Sequence, residues 1–155
     1  VSFLSEKWRQ MNIRKTGPVV LITTLPGEAY TLGILMCAVV TCATNSKVIY
    51  LGMDNPIDEI VDASEKYKPE IIAMSISHKF DFTSSEKLLV NLRSKIDQNI
   101  SIVTGGKGSP CNISGVSYFS AFDKYYDYLI KFDQPEKIVG LKSQKIKLIN
   151  GQKHE

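Results

Sequence analysis

The sequence predicts an α/β domain with a doubly wound parallel sheet of about five strands and helices on both faces. Two observations lead to this prediction. Short, continuous apolar runs of the kind found in strands buried on both faces recur four times along the chain. Segments with the 3.6-residue spacing of helices lie between them, and the connections are short. Such an alternation implies right-handed βαβ units and therefore parallel strands.

Four strands are predicted from these runs, at residues 18–23, 47–51, 70–76 and 100–104. Beyond Pro110 the pattern weakens, and the aromatic stretch at residues 125–130 predicts a fifth strand. A final helix is predicted after Pro135, followed by a lysine-rich tail.

The helices between the strands are predicted from apolar spacing and from residues typical of helix starts. The first helix has an apolar face of Leu32, Leu35, Met36, Val39, Val40 and Ala43. Asn55 is predicted to cap the second helix, with Pro56 at its first position. Thr83 and Glu86 have the spacing of a capping box at the start of the third.

Composition indicates a globular protein of one domain. The chain has 155 residues, of which 43% are hydrophobic and 23% charged, and its net charge of +3 is too small to indicate nucleic-acid binding. Three cysteines without zinc-ligand spacing favour a reducing, cytoplasmic location, and no apolar run is long enough to span a membrane. Because the first residue is valine, we expect the chain to be part of a longer protein.

The residues that interrupt the apolar pattern follow the first, third and fourth strands. They lie at residues 24–33, 75–80 and 105–110. In a sheet of flavodoxin-like order 2-1-3-4-5 these strands are neighbours, so the three turns line one crevice at the carboxyl ends of the strands, where such sheets bind ligands. The small residues Ser75, Ser77, Gly105 and Gly106 leave space there for a ligand, although Gly105 and Gly106 are also explained by a simple turn.

Several ligand and reaction classes are disfavoured by the same turns. The first turn has neither the glycine spacing of dinucleotide-binding folds nor that of a P-loop, and it matches an FMN loop weakly. There is no nucleophile elbow, no convincing carboxylate pair and no histidine beside a serine or cysteine, so we expect no autonomous catalysis.

The three turns together resemble the cobalamin-binding domains of corrinoid methyltransferases, mutases and light-sensing regulators. The signature of that family is Asp-x-His-x-x-Gly, then Ser-x-Leu, then Gly-Gly. In this chain residues 28–33 occupy the first element, Ser75 and Ser77 the second, and Gly105 and Gly106 the third. The intervals of 41 residues (34–74) and 27 residues (78–104) are similar to those of the family. The resemblance extends over residues 18–110.

The resemblance implies a flavodoxin-like fold and a cobalamin site, with one departure at the metal. Tyr30 stands where the family carries the histidine that ligates cobalt, and Glu28 stands where an aspartate orients that histidine. A phenol is protonated at neutral pH and is a poor donor to cobalt. The remaining cofactor-binding candidates that the resemblance implies are Gly27, Thr31, Gly33, Ser75, Ser77, Gly105 and Gly106. Candidates for a metal ligand are Tyr30 and His78.

Three functions follow from the resemblance and its departure. The first is a sensor or regulatory domain that binds a tetrapyrrole, either cobalamin or heme, and signals to a partner protein or a fused domain. The second is a corrinoid carrier, the subunit of a cobalamin-dependent methyltransferase. The third is an interaction domain that has lost its cofactor. The corresponding domain boundaries are a linker or docking segment at residues 1–16, a cobalamin-binding-like domain at 17–140 and a polar tail at 141–155.

Overall fold

A computed structural model describes residues 2–134, which form alternating helices and strands. In chain order the elements are α1 (Ser2–Asn12), β1 (Val19–Thr23), α2 (Leu32–Cys42), β2 (Lys47–Gly52), α3 (Ile57–Tyr67), β3 (Ile71–Ser75), α4 (Phe82–Lys95), β4 (Ser101–Gly105), β5 (Val116–Phe119) and α5 (Phe122–Asp133).

The five strands form one parallel sheet in the order β2-β1-β3-β4-β5. The predicted fold class, strand order and placement of helices on both faces are therefore confirmed. One side of the sheet packs against α1, α2 and α5, and the other against α3 and α4. The side chains of the central strands β1 and β3 are almost completely buried, which explains why their sequences are continuous apolar runs rather than alternating ones.

The predicted fifth strand was wrong in position. Residues 125–130 lie in α5, and the strand at the sheet edge is Val116–Phe119. The buried residues of α5 are Tyr125 and Leu129, four positions apart, which is a helical spacing. The helix predicted after Pro135 and the polar tail at 141–155 lie outside the described residues.

Two helix starts also differ from the prediction. Asn55 lies before the N-cap position of α3, and its buried amide donates to Thr23 Oγ1 (2.9 Å) and to the Gly52 carbonyl (3.0 Å). The N-cap of α4 is Asp81, whose carboxylate accepts from the Ser84 backbone amide, so Thr83 lies inside the helix.

The buried face of α2 is not the predicted one. Ala43 lies past the end of the helix and is exposed, as is Leu32, whereas the buried residues are Ile34, Leu35, Cys37, Ala38, Thr41 and Cys42. Because α2 is apolar around most of its circumference, periodicity does not determine which side faces the sheet.

The N-terminal helix α1 is docked on the rest of the domain. Trp8 is buried in the core on the α2 side of the sheet, and its ring lies 5.3 Å from that of Tyr50. The Asn12 side chain forms two hydrogen bonds with Val48 of β2, accepting from its backbone amide (2.7 Å) and donating to its carbonyl (2.9 Å).

Candidate functional site

The site is built from the loops that follow β1, β2, β3 and β4 at the carboxyl edge of the sheet. The β1 loop comprises residues 24–31, the β2 loop 53–56, the β3 loop 76–81 and the β4 loop 106–115. Hydrogen bonds and close backbone packing join each of these loops to its neighbour. The crevice predicted from the sequence therefore has a defined rim.

Glu28 joins the β1 loop to the β3 loop. Its side chain is buried, with 4% of the residue exposed. One carboxylate oxygen accepts from the Tyr30 backbone amide (2.9 Å) and the Ser77 hydroxyl (3.2 Å), and the other accepts from the Ser77 backbone amide (2.8 Å). Three donors from two loops thus converge on one carboxylate.

Asp54 joins the β2 loop to the other side of the β1 loop. Its carboxylate accepts from the Gly27 backbone amide (2.6 Å), and its own backbone amide donates to Thr24 Oγ1 (2.8 Å). Thr24 Oγ1 in turn donates to the Glu28 carbonyl (3.1 Å). The β1 loop is therefore held from both flanks.

The β3 and β4 loops touch through their backbones because glycine occupies two positions. Gly106 has a positive φ of 97°, and a methyl carbon there would overlap with the Ile76 carbonyl. A methyl carbon at Gly108 would overlap with the Ser77 carbonyl, and the Gly108 amide donates to the Ile76 carbonyl (3.1 Å). These glycines thus allow the close approach, while Gly105 has no positive φ.

A cavity of about 240 Å³ opens between the sheet and the helices α2 and α5. The sheet contributes Ala73, Ser75, Val103, Gly105 and Phe119, and the helices contribute Gly33, Cys37, Phe122 and Tyr125. Small residues make the space: a side-chain carbon at Gly33 would overlap with Ser75 Oγ. Among the predicted site residues, Gly33, Ser75, Gly105 and Gly106 line this cavity.

Gly27, Glu28, Tyr30 and Ser77 do not line the cavity but belong to the hydrogen-bonded rim of loops, and Thr31 is the N-cap residue of α2. The structure therefore divides the predicted residues into a cavity group and a rim group. The cofactor-binding role of both groups remains a prediction.

A chain of hydrogen bonds links α5 to α2 at the cavity wall. Thr41 Oγ1 donates to the Cys37 carbonyl (2.8 Å) and lies 2.7 Å from the Tyr125 hydroxyl, which is therefore the donor between the two. Burial raises the pKa of Cys37 to about 11 and raises the pKa of Tyr125. Both groups are therefore protonated at neutral pH.

The two metal-ligand candidates lie on the surface. Tyr30 is 49% exposed, and its side chain does not fill the cavity. His78 is exposed in the β3 loop. Within residues 2–134 no group of three or more His, Cys, Asp or Glu side chains is placed to hold a metal ion, and none of the helices described there is long and apolar enough to cross a membrane.

Sequence reasoning missed the part of the cavity wall formed by Cys37, Phe119 and Tyr125. A signal for Tyr125 was present, because Phe122, Tyr125, Leu129 and Phe132 have helical spacing. No such signal marked Phe119, since β5 has four residues and only partly buried side chains apart from the exposed Ser117.

The sequence profile of the B12 binding domain family matches residues 18–111, which include the β1, β2 and β3 loops and the turn after β4. This match covers more than half of the chain. The chain belongs to the B12 binding domain family. A search of curated proteins found no relative of detectable sequence similarity.

Solved structures of similar fold agree with this assignment. One is a cobalamin-binding protein from Desulfitobacterium hafniense DCB-2 (17% identity, TM-score 0.61, 74% of this chain and 58% of the other). A second is the methanol:cobalamin methyltransferase complex from Methanosarcina barkeri (19%, 0.60, 73% and 45%). A third is the monomethylamine corrinoid protein from Methanosarcina barkeri (14%, 0.62, 83% and 65%). This B12 binding domain therefore spans less than two thirds of each of these chains.

Proposed function

We propose that this B12 binding domain binds cobalamin with the nucleotide tail of the cofactor in the cavity between the sheet, α2 and α5. The observation that carries the proposal is the cavity itself. Pockets that enclose a whole drug-sized ligand have volumes of about 300–1,000 Å³. A cavity of about 240 Å³ fits a bicyclic base and its sugar rather than a macrocycle. Hemin has no such tail, and none of the comparisons points to heme.

The residues around the cavity fit a tail. Gly33, Ser75 and Gly105 leave the cavity open, and Gly106 allows the β4 loop to pack on the β3 loop beside it. The rim residues Glu28 and Ser77 join the β1 loop to the β3 loop. Because the rim is already joined, binding does not have to order it, which favours affinity. The bound cofactor would supply cobalt with an exchangeable axial ligand.

The role that we propose for the domain is sensing rather than catalysis. Tyr30 replaces the imidazole with which the family ligates cobalt, and Glu28 is engaged with backbone amides instead of orienting an imidazole. Occupancy of the cavity would then be the signal, read by a partner protein or a fused domain. In a domain that had lost its cofactor we would expect the Tyr30 side chain to fill the cavity. Tyr30 does not line the cavity, which remains open.

A visible absorption spectrum tests the proposal. When hydroxocobalamin is mixed with the purified protein, its spectrum should change to that of cobalamin whose own base has left the metal. Calorimetry should show binding at micromolar concentration. Hemin, added in a parallel experiment, should bind weakly or not at all. Calorimetry without cobalamin binding would refute the proposal, and binding of hemin alone would favour the heme alternative.

Variants of Tyr30 test whether the β1 loop supplies a ligand to cobalt. Tyr30→Phe should leave the spectrum of bound cobalamin unchanged, because the phenol is not a ligand. Tyr30→His should change it, because it supplies an imidazole at the position that the family uses. A spectrum that changes in Tyr30→Phe would show that the phenol ligates cobalt.

A corrinoid carrier for methyl transfer is the second candidate. What favours it is that two of the structures with a similar fold are named as a methyltransferase complex and a corrinoid protein. It predicts that protein loaded with methylcobalamin passes the methyl group to an acceptor when a partner methyltransferase is added. Binding of methylcobalamin without transfer supports the sensor.

A further inference from the structure

We infer that the outer face of α2, together with the adjoining flank of α5, is a docking surface for a second copy of this chain. The apolar residues of this surface, named the α2–α5 patch, are exposed or only partly buried: Leu32, Met36, Val39, Val40, Ala43, Phe122, Tyr126 and Ile130. The inference concerns the partner of the folded domain and does not depend on whether the cavity holds cobalamin.

The outer face of α2 has the spacing of a surface that packs against another helix. Its residues at positions 32, 36, 39 and 43 follow one another at intervals of four, three and four, the spacing with which one helix packs along a second. All four belong to the face that the sequence predicted to be buried, and the structure turns them away from the sheet. Their exposure therefore indicates a surface without its partner.

The charge of α2 supports this interpretation. None of its eleven residues carries a charge. Helix α3, which has the same length and covers the opposite side of the sheet, carries five charged residues. A helix that is apolar around its whole circumference is typically buried on all sides. The two sides of the sheet thus differ in the way expected if only the α3 side faces water permanently.

The area of the α2–α5 patch fits a weak dimer. Leu32 on α2 and the α5 residues Phe122, Tyr126 and Ile130, which recur every fourth position, are each 38–43% exposed. With roughly 200 Å² for each residue, these four present about 300 Å² of apolar surface, and patches of this size are often functional. A standard dimer buries about 800 Å² per partner and a transient one buries less. We therefore expect a reversible dimer.

A second copy suits the α2–α5 patch in symmetry and in charge. A two-fold dimer brings the same surface of both chains together, and α2 contributes no charge that would have to be buried. Helix α2 lies between α1, which packs on β2, and α5, which packs on β5. A two-fold axis along α2 therefore directs α1 of one copy towards α5 of the other. The charges of α1 (Glu6, Lys7 and Arg9) sum to +1 and those of α5 (three aspartates and two lysines) to −1, so these flanks attract.

The test is sedimentation velocity on the whole chain without cofactor, at protein concentrations from about 1 μM to about 1 mM. The dimer fraction should rise over this range, with a dissociation constant of about 10–100 μM. Met36→Lys, near the middle of α2, should raise that constant more than about tenfold, because it places a charge in the contact. Val90→Lys is the matched control, because Val90 is an exposed apolar residue on α4, on the other side of the sheet. It should leave the constant unchanged.

A variant on α5 makes the test independent of α2. Tyr126→Lys should raise the dissociation constant by about threefold or more, because Tyr126 is exposed in the same patch. Circular dichroism of each variant checks that its fold is unchanged. If Met36→Lys does not fold, the comparison of Tyr126→Lys with Val90→Lys decides.

Two outcomes overturn the inference. One is a chain that stays monomeric up to about 1 mM, which would assign the patch to a different partner. The other is a dimer that Val90→Lys weakens as much as the variants in the patch do. Neither outcome affects the proposed function, because the measurement contains no cofactor, and a failure to bind cobalamin would leave the dimer unaffected.

Discussion

Among the residues of the site, Glu28 has a buried carboxylate that joins the β1 loop to the β3 loop. Its carboxylate receives hydrogen bonds from the amides of Tyr30 and Ser77 and from the Ser77 hydroxyl. A carboxylate only accepts hydrogen bonds, so it can serve three donors at once, whereas a carboxamide presents an NH₂ group to some of them. The position of this residue in the family motif indicated a role in ligand orientation. In the structure its partners are loop amides.

Substitution of Glu28 by Gln should weaken the rim. We expect Glu28→Gln to lower the free energy of unfolding by about 1–3 kcal/mol, because donors in a buried site lose their acceptor. Cobalamin affinity should fall as well. Urea unfolding and calorimetry measure the two effects. Glu65→Gln on the exposed side of α3 is the control, and equal behaviour of the two variants would contradict the role of Glu28.

At the level of elements, sequence reasoning succeeded where burial dictates the pattern and failed where it does not. The strands β1, β3 and β4 were predicted because most of their side chains are buried, so each is an apolar run. In the edge strand β2 only Val48 is fully buried, and the partly buried Ile49, Tyr50 and Leu51 complete its apolar run. The edge strand β5 has four residues and a mixed pattern, and the tyrosines of α5 gave a misleading strand signal. The starts of α3 and α4 differ from the prediction because the Asn55 amide donates to Thr23 and the Asp81 carboxylate accepts from the Ser84 amide. Residue spacing alone does not reveal these hydrogen bonds.

The position of the site was predicted from the sequence, but part of its wall was not. The intervals to Ser75 and Gly105 located the crevice, since strand ends of a parallel sheet meet at one edge. The hydrogen bond between Thr41 and Tyr125 was not predicted, because the two residues are far apart in the chain and resemble ordinary core residues.

Helix α1 should contribute to stability although it precedes the matched family region. Trp8→Ala should lower the free energy of unfolding by about 3–5 kcal/mol, because the indole is buried. Phe3→Ala on the same helix should change it by less than about 0.5 kcal/mol, because Phe3 is 73% exposed. Chemical denaturation followed by circular dichroism measures both. Equal effects would show that α1 is not docked in solution.

At the scale of the whole molecule, the buried thiol of Cys37 makes folding sensitive to alkaline pH. Its pKa is about 11 in the folded chain and 9.0 in the absence of burial. The folded state therefore binds the proton more tightly, so the contribution to stability is complete below pH 9 and is lost as the pH rises towards 11. The loss is about 1.4 kcal/mol per pH unit in that range.

The measurement is urea unfolding at pH 8 and pH 10. The free energy of unfolding should fall between the two values, and the fall should be smaller in Cys37→Ala by about 1 kcal/mol. Cys111→Ala serves as the control, because Cys111 is exposed. Identical pH dependence in Cys37→Ala and the unsubstituted chain would show that the thiol is not buried as described.

The pair of hydrogen bonds between Asn12 and Val48 has a consequence for self-association. Strand β2 is an edge of the sheet, and an open edge is a template on which a second molecule can add a strand. The Asn12 amide takes the place of such a neighbour by satisfying both backbone groups of Val48. Helix α1 thus covers part of this edge, and we expect its removal to expose backbone groups with which a second copy can pair.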